Sequence, residues 1–196
     1  MFEELSLHIL DVAMNSITAK ARTVQIMIAE HARRDRLSIR IQDDGCGMDT
    51  DTLKRVLADL TTTKRSRKKD IGLGLALLRQ TAEMCDGEFH VCSTPAMGTT
   101  VTVSMKLSHV DRPPLGDLNA TILALCATNP AVDVQLHYLS DTEHFHFSSK
   151  EPAKKPAKKK VASRPERIWS GKEKTNYEPG RTQKVKRESA TAGCPA

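Results

Sequence analysis

The stretch R36-L-S-I-R-I-Q-D-D-G-C-G-M-D49 decides how this chain is to be read. Leu37, Ile39 and Ile41 alternate with polar residues, so this run reads as a strand with one buried face. The strand runs straight into Asp43-Asp44-Gly45-Cys46-Gly47, a carboxylate pair at a glycine-containing turn. Upstream, Val24, Ile26 and Ile28 alternate in the same way, and the polar HARRDR between the two runs is a turn. Further upstream, residues 5–20 carry Leu7, Leu10, Met14 and Ile17 at steps of three and four. That spacing predicts an amphipathic helix with those four on its buried stripe.

Downstream, Asp49 or Thr50 caps a helix through about Leu60. The basic, aperiodic TTTKRSRKKD that follows reads as a mobile loop. A helix begins near Gly72, burying Leu75, Leu78, Ala82 and Cys85, and stops at Asp86-Gly87. Strands are predicted around 89–93 and 99–107, the latter with Val101, Val103, Met105 and Leu107 on one face. The order helix, strand, strand, helix, loop, helix, strand, strand, with clean alternation in the strands, predicts a two-layer α/β sandwich. A doubly wound parallel sheet would need strands apolar on both faces. After DRPPLGD come a helix over 118–127 and two short strands, 132–139 and 142–147.

Composition sets the limits. The chain has 196 residues, 39% hydrophobic and 28% charged, which suits one domain and a tail. No apolar run reaches about 18 residues, which argues against a spanning helix. The opening MFEELSLHILD is acidic where an export signal is basic, and the five cysteines form no CxxC pair. Both predict a reduced, cytoplasmic protein without a thiolate zinc site. The net charge of +6 is unevenly spread. Residues 150–196 hold 14 Lys and Arg against 5 Glu, a net +9, and leave the body at −3. Val161, Ile168, Trp169, Tyr177 and Val185 are too few and too irregular to build a core there, so the tail is predicted to be disordered. Its PAKKPAKKK run offers non-specific contact with polyanions. The expected organisation is a domain over 1–110, a small α/β extension over 111–149 packed on it, and the tail over 150–196.

Three clusters carry chemistry. Asp11 and Asn15 stand one turn apart on the first helix, pairing a carboxylate with a hard carbonyl oxygen suited to Mg²⁺. Asp43, at a strand end, offers an acceptor for an exocyclic amine, with Gly45 and Gly47 letting a flat ring approach. Gly72-Leu73-Gly74-Leu75 opens a helix after a basic loop and turns backbone N–H groups toward an anion. The chain has no GxxxxGK[ST] and no GxGxxG between a strand and a helix, so neither a P-loop nor a Rossmann site is expected.

Taken together, the order DxxxN, DxGxG, basic Thr-rich loop, GxGL and GTT resembles the GHKL superfamily over about residues 5–107. These are the Bergerat-fold ATP-binding domains of gyrase-type topoisomerases, Hsp90-type chaperones, sensor histidine kinases and MutL-like proteins. The resemblance implies ATP and Mg²⁺ as ligands. It implies Asn15 as the metal ligand, Asp11 as the catalytic carboxylate and Asp43 as the adenine-recognising group, with Gly45 and Gly47 in the same box. Thr61, Thr62, Thr63 and Lys64 match the start of an ATP lid. Gly72, Leu73, Gly74 and Leu75 match the phosphate-holding glycine box, and Gly98-Thr99 the last motif, whose Thr supports Asp43.

LSLHILDVAMNSITAKA, the GLGL box and HVDRPPLGD also resemble small bacterial ATP-binding proteins associated with iron-only hydrogenase gene sets. The implied activity is slow ATP hydrolysis, or phosphoryl transfer to a separate protein partner. The slowness is expected because Asp11 stands where the family has a longer Glu. A non-catalytic ATP-dependent switch and tail-mediated nucleic-acid binding are the alternatives. His8 is expected at the surface or core edge rather than as a phosphoacceptor. His144 and His146 are expected to share one strand face, read as a solvated face with a metal pair as the alternative. Cys46 is expected as a small turn residue.

Overall fold

A computed structural model describes residues 4–61 and 73–151. The proposed lid residues 62–71, Gly72 and the tail from 152 onward lie outside the described residues. The elements are α1 (Leu5–Thr18), β1 (Thr23–His31), β2 (Arg36–Asp43), α2 (Thr50–Thr61), α3 (Leu73–Met84), β3 (Glu88–Thr94), β4 (Gly98–Lys106), α4 (Leu118–Thr128), β5 (Asp133–Leu139) and β6 (His144–Ser148). A short 3₁₀ turn, Ala32–Arg34, joins β1 to β2, and Asp35 takes the left-handed conformation that closes it.

The strands form one sheet in the order β3-β4-β2-β1-β5-β6. Every pair is antiparallel except β1 and β5, which run parallel with Val24 beside Val134 and Ile28 beside Tyr138. The fold is thus the mixed α/β sandwich that the alternation predicts. One face of the sheet presents Ile26, Ile28, Leu37, Ile39, Ile41, Val101, Val103 and Met105 to the helices, all of them buried. The opposite face is polar, with Gln25 Nε2 donating to Gln135 Oε1 (2.9 Å) and Arg36 Nη2 to Ser104 Oγ (2.6 Å). Each fully buried aliphatic side chain on the helix-facing side contributes about 1.5–3 kcal/mol.

The first helix is oriented differently from its expected stripe. It buries Leu5, Ile9, Val12, Ala13 and Ser16, whereas Leu7 and Met14 are each 39% exposed. Both sets repeat at steps of three and four, so periodicity alone does not separate them. What separates them is that α1 packs between α3 and α4 over the sheet, and the tight approach needs its small residues, Ala13 and Ser16, inward. The same arrangement corrects His8, which is fully buried rather than at a surface or core edge. Burial pushes its basicity below the ordinary value, against the pull of Asp11.

Asp49 caps α2 by accepting from Thr52 N (2.6 Å), and Asp117 caps α4 by accepting from Ala120 N (2.9 Å). The stop after α3 uses Asp86 itself at φ 54. The DRPPLGD segment has a structural task. Leu5 N and Ser6 N donate to the carbonyls of Pro114 and Leu115, both at 2.9 Å, so the segment satisfies N–H groups at the start of α1. Beyond it, α4 lies against α1 and β5 covers what is otherwise the free edge of β1.

Candidate functional site

Four elements converge at one end of the helix-facing side of the sheet: the body of α1, the end of β2, the start of β4 and the N-terminus of α3. β2 ends on Asp43, whose side chain continues the inward row of Leu37, Ile39 and Ile41 and is only 8% exposed. A buried carboxylate must have its lone pairs satisfied. Here Oδ2 accepts from Ser16 Oγ (2.8 Å), and Oδ1 accepts from Gly45 N (2.9 Å) and Thr99 N (3.2 Å). The helix, the glycine loop and β4 therefore fix one carboxylate from three directions.

The loop is tied down on both sides. Cys46 N donates to Ala19 O (2.9 Å) at the end of α1, and Cys46 O accepts from Ala96 N (2.7 Å) in the β3–β4 turn. Met48 N donates to Ser93 Oγ (2.8 Å). Gly47 has φ +64, and a side chain there would overlap the Thr94 carbonyl. Gly98, at φ +93, passes so close to the Asp43 carbonyl that a Cβ would collide with it. Thr99 serves Asp43 through its backbone N–H, while its hydroxyl pairs with Ser93 Oγ at 2.9 Å. The neighbouring Asp44 points elsewhere: it accepts from Arg22 N (2.7 Å) and Thr23 N (2.8 Å) and locks the start of β1. Burial raises its pKa, but those backbone donors outweigh burial and hold the carboxyl below the ordinary range.

The second focus is Asp11, half-buried on α1, with Asn15 one turn further on and also half-buried. α3 enters against this helix face. Gly74 is buried in its first turn, and a Cβ on Gly74 would overlap the Asp11 carboxylate. Leu73 opens α3, and Leu75 packs against the core. Among the expected site residues, the structure thus brings Asp43, Gly45 and Thr99 into one hydrogen-bonded group, with Gly47 in the same loop, and Asp11 against Gly74. Asn15 lies between the two groups along α1. Thr62, Thr63, Lys64 and Gly72 lie outside the described residues.

Ser16 and Ser93 complete the arrangement without having been singled out by sequence. The signal for Ser16 is its step of one past Asn15, on the inward face; Ser93 becomes visible only once β3 and β4 are in register. Cys46 and Cys92 are exposed and Cys85 is buried; Cys46, Cys85 and Cys126 are free thiols.

A buried, triply anchored carboxylate beside a glycine loop thus sits on an α/β sandwich whose helix α1 carries Asp11 and Asn15, and the class to which this chain belongs is that of ATPase domains. Residues 2–109 match the family model described as histidine kinase-, DNA gyrase B-, and HSP90-like ATPase, and the chain belongs to this family.

Its relatives include the signal transduction histidine-protein kinase AtoS of Escherichia coli, 30% identical over 108 residues, or 55% of this chain and 17% of the relative. The histidine protein kinase SaeS of Staphylococcus epidermidis is 29% identical over 107 residues, or 53% of this chain and 30% of the relative. The chain therefore spans less than a third of these kinases. Among solved structures, the N-terminal domain of a DNA repair protein is similar at a TM-score of 0.50 with 17% identity, covering 75% of this chain and 52% of that one. The Aquifex aeolicus MutL ATPase domain complexed with ADP gives a TM-score of 0.48 with 17% identity, covering 78% and 66%. Among the described residues, no helix is long and apolar enough to cross a membrane.

Proposed function

We propose that this chain is a Mg²⁺-dependent ATP-binding protein of histidine-kinase type, acting in the cytoplasm as a slow ATPase or as a kinase toward a separate protein partner. The observation that supports it most is the anchoring of Asp43. Its carboxylate is held by Ser16, Gly45 and Thr99 at the mouth of a glycine loop, which leaves it oriented to accept from the exocyclic amine of a purine. Gly45 and Gly47 give the ring its approach. The first turn of α3, with Leu73, Gly74 and Leu75, would receive the phosphates at a helix N-terminus, and Gly72 belongs to the same proposed glycine box. Thr62, Thr63 and Lys64 would cover them.

The residues on α1 fit a hard cation, because Asn15 and Asp11 present oxygen donors on one helix face. Asn15 would hold Mg²⁺, which when bound supplies neutralisation of phosphate charge. Asp11 would orient and deprotonate the attacking water or hydroxyl. Its side chain is one methylene shorter than Glu, so hydrolysis is expected to be slow while binding is kept.

The division into a nucleotide domain over 1–110, an extension over 111–149 and a basic tail from 150 belongs to the same proposal. So does a redox-enzyme subunit as the partner, which rests on the resemblance carried by LSLHILDVAMNSITAKA and HVDRPPLGD.

Titration with a fluorescent ATP analogue, with and without Mg²⁺, tests the reading. Binding that needs Mg²⁺ and is lost in Asp43→Asn supports it. A wild-type chain that binds no nucleotide under either condition overturns it.

A further inference from the structure

The polar face of the sheet holds a second concentration of chemistry, two strands away from β2 and Asp43. β5 and β6 place His137 directly opposite His146, and the two rings stand 4.4 Å apart between centroids at a tilt of 44°. His144 precedes His146 by two residues and so shares its face of the strand.

Among the described residues, the strand positions beside His137 hold no carboxylate. The residue beside His137 on β1 is Met27, and the next in that row, on β2, is the cation Arg40. Gln135 and Leu139 flank His137 along its own strand, and the hairpin's acidic residues, Asp141 and Glu143, belong to the turn. The two cross-strand imidazoles offer borderline nitrogen donors on rings 4.4 Å apart.

We propose that His137 and His146 bind a divalent transition-metal ion of the zinc class, with His144 beside them and water filling the remaining positions. Zinc–nitrogen bonds of about 2.0–2.1 Å at tetrahedral angles place two ring centroids about 5 Å apart, so a sub-ångström opening of this pair admits the ion. Among the described residues, no three His, Cys, Asp or Glu side chains gather into a metal cage. The site is therefore an open, exchangeable two-imidazole site rather than a buried structural centre. Its effect on the fold is to tie the edge strand β6 to β5. Nothing in it depends on the nucleotide reading.

The test is a titration of Zn²⁺ alone into tag-free, full-length protein with its thiols alkylated. It is followed by calorimetry and by the imidazole ring-proton resonances. One equivalent of Zn²⁺ is expected to shift the resonances of His137 and His146. The dissociation constant is expected to rise at least about tenfold in His137→Asn and in His146→Asn, and to stay within about twofold in His90→Asn, a histidine on the same face of β3. His146 is exposed, so its variant keeps the test decisive if the half-buried His137 variant folds poorly. Unshifted His137 and His146 resonances, or equal affinity in wild type and His146→Asn, overturn the proposal. Equal loss in His90→Asn also overturns it, by showing scattered surface binding.

Discussion

The Asp11 carboxylate occupies the space that a side chain on Gly74 would need. The first turn of α3 is thereby packed directly onto the acidic group of α1, where the positive end of the helix favours a negative charge. One residue type at position 74 thus sets both the approach of α3 and the location of Asp11.

Gly74→Ala is therefore expected to destabilise the chain by about 1–3 kcal/mol, the usual cost of overpacking a tight contact. Urea unfolding of a double-mutant cycle checks the cause. Asp11→Ala made in the Gly74→Ala background frees the space, so the pair is expected to fall short of additivity by at least about 0.5 kcal/mol. Strict additivity would place the strain somewhere other than Asp11.

Ser16 and Thr99 both serve Asp43 but through different atoms, and their alanine variants should separate. Ser16→Ala removes the donor to Oδ2 and leaves part of a buried carboxylate unsatisfied, which costs about 1–3 kcal/mol. On the proposed function, binding of the ATP analogue should weaken by about five- to twentyfold. Thr99→Ala keeps the backbone N–H on Oδ1 and loses only the hydroxyl link to Ser93, so its loss should stay below about threefold. Equal losses in the two variants would mean that the Thr99 hydroxyl, not its backbone, matters to the ligand.

Asp11 separates turnover from binding. In Asp11→Asn the carboxamide keeps the volume beside Gly74 but cannot take a proton. On the proposed function, steady-state phosphate release should fall by about a hundredfold or more, while affinity for the ATP analogue changes by less than about threefold. A variant that hydrolyses ATP like the wild type would remove Asp11 from the chemistry and favour a binding switch.

Much of this was legible in the sequence, for specific reasons. Val24, Ile26 and Ile28, Leu37, Ile39 and Ile41, and Val101, Val103 and Met105 alternate cleanly, so the three strands β1, β2 and β4 and their inward faces follow from period two. Asp43 is recognisable because it ends such a run and meets glycines. Four things were not legible. The rotation of α1 was not, because Leu7, Leu10, Met14 and Ile17 fit the helical period as well as the true inward set does. The packing partners, not the period, decide between them.

The parallel pairing of β5 with β1 was not legible either, since nothing local in Val132–Leu139 names its neighbour. Nor was the division of labour at Thr99, because a motif gives the residue and not the atom that bonds. Nothing in DRPPLGD itself names its task, and only the folded chain shows Pro114 and Leu115 receiving the N–H groups of Leu5 and Ser6.

His8 gives the fold a pH dependence that can be measured without any ligand. Its ring, carried by α1, is buried, and burial lowers its folded pKa despite the attraction of Asp11. The unfolded chain keeps the ordinary value of about 6.5. Below that pH the unfolded state takes up a proton that the folded state resists, so stability is fully present above the unfolded value. It declines as pH falls from there toward the lowered folded pKa, and the contribution flattens once both states are protonated. Thermal melts at pH 7.5, 6.5 and 5.5 should therefore show a falling Tm in the wild type. His8→Gln, which cannot titrate, should be less stable at pH 7.5 and show a shallower decline across the same window. Parallel slopes in the two proteins would assign the acid sensitivity to other groups, with the half-buried His137 next to be replaced.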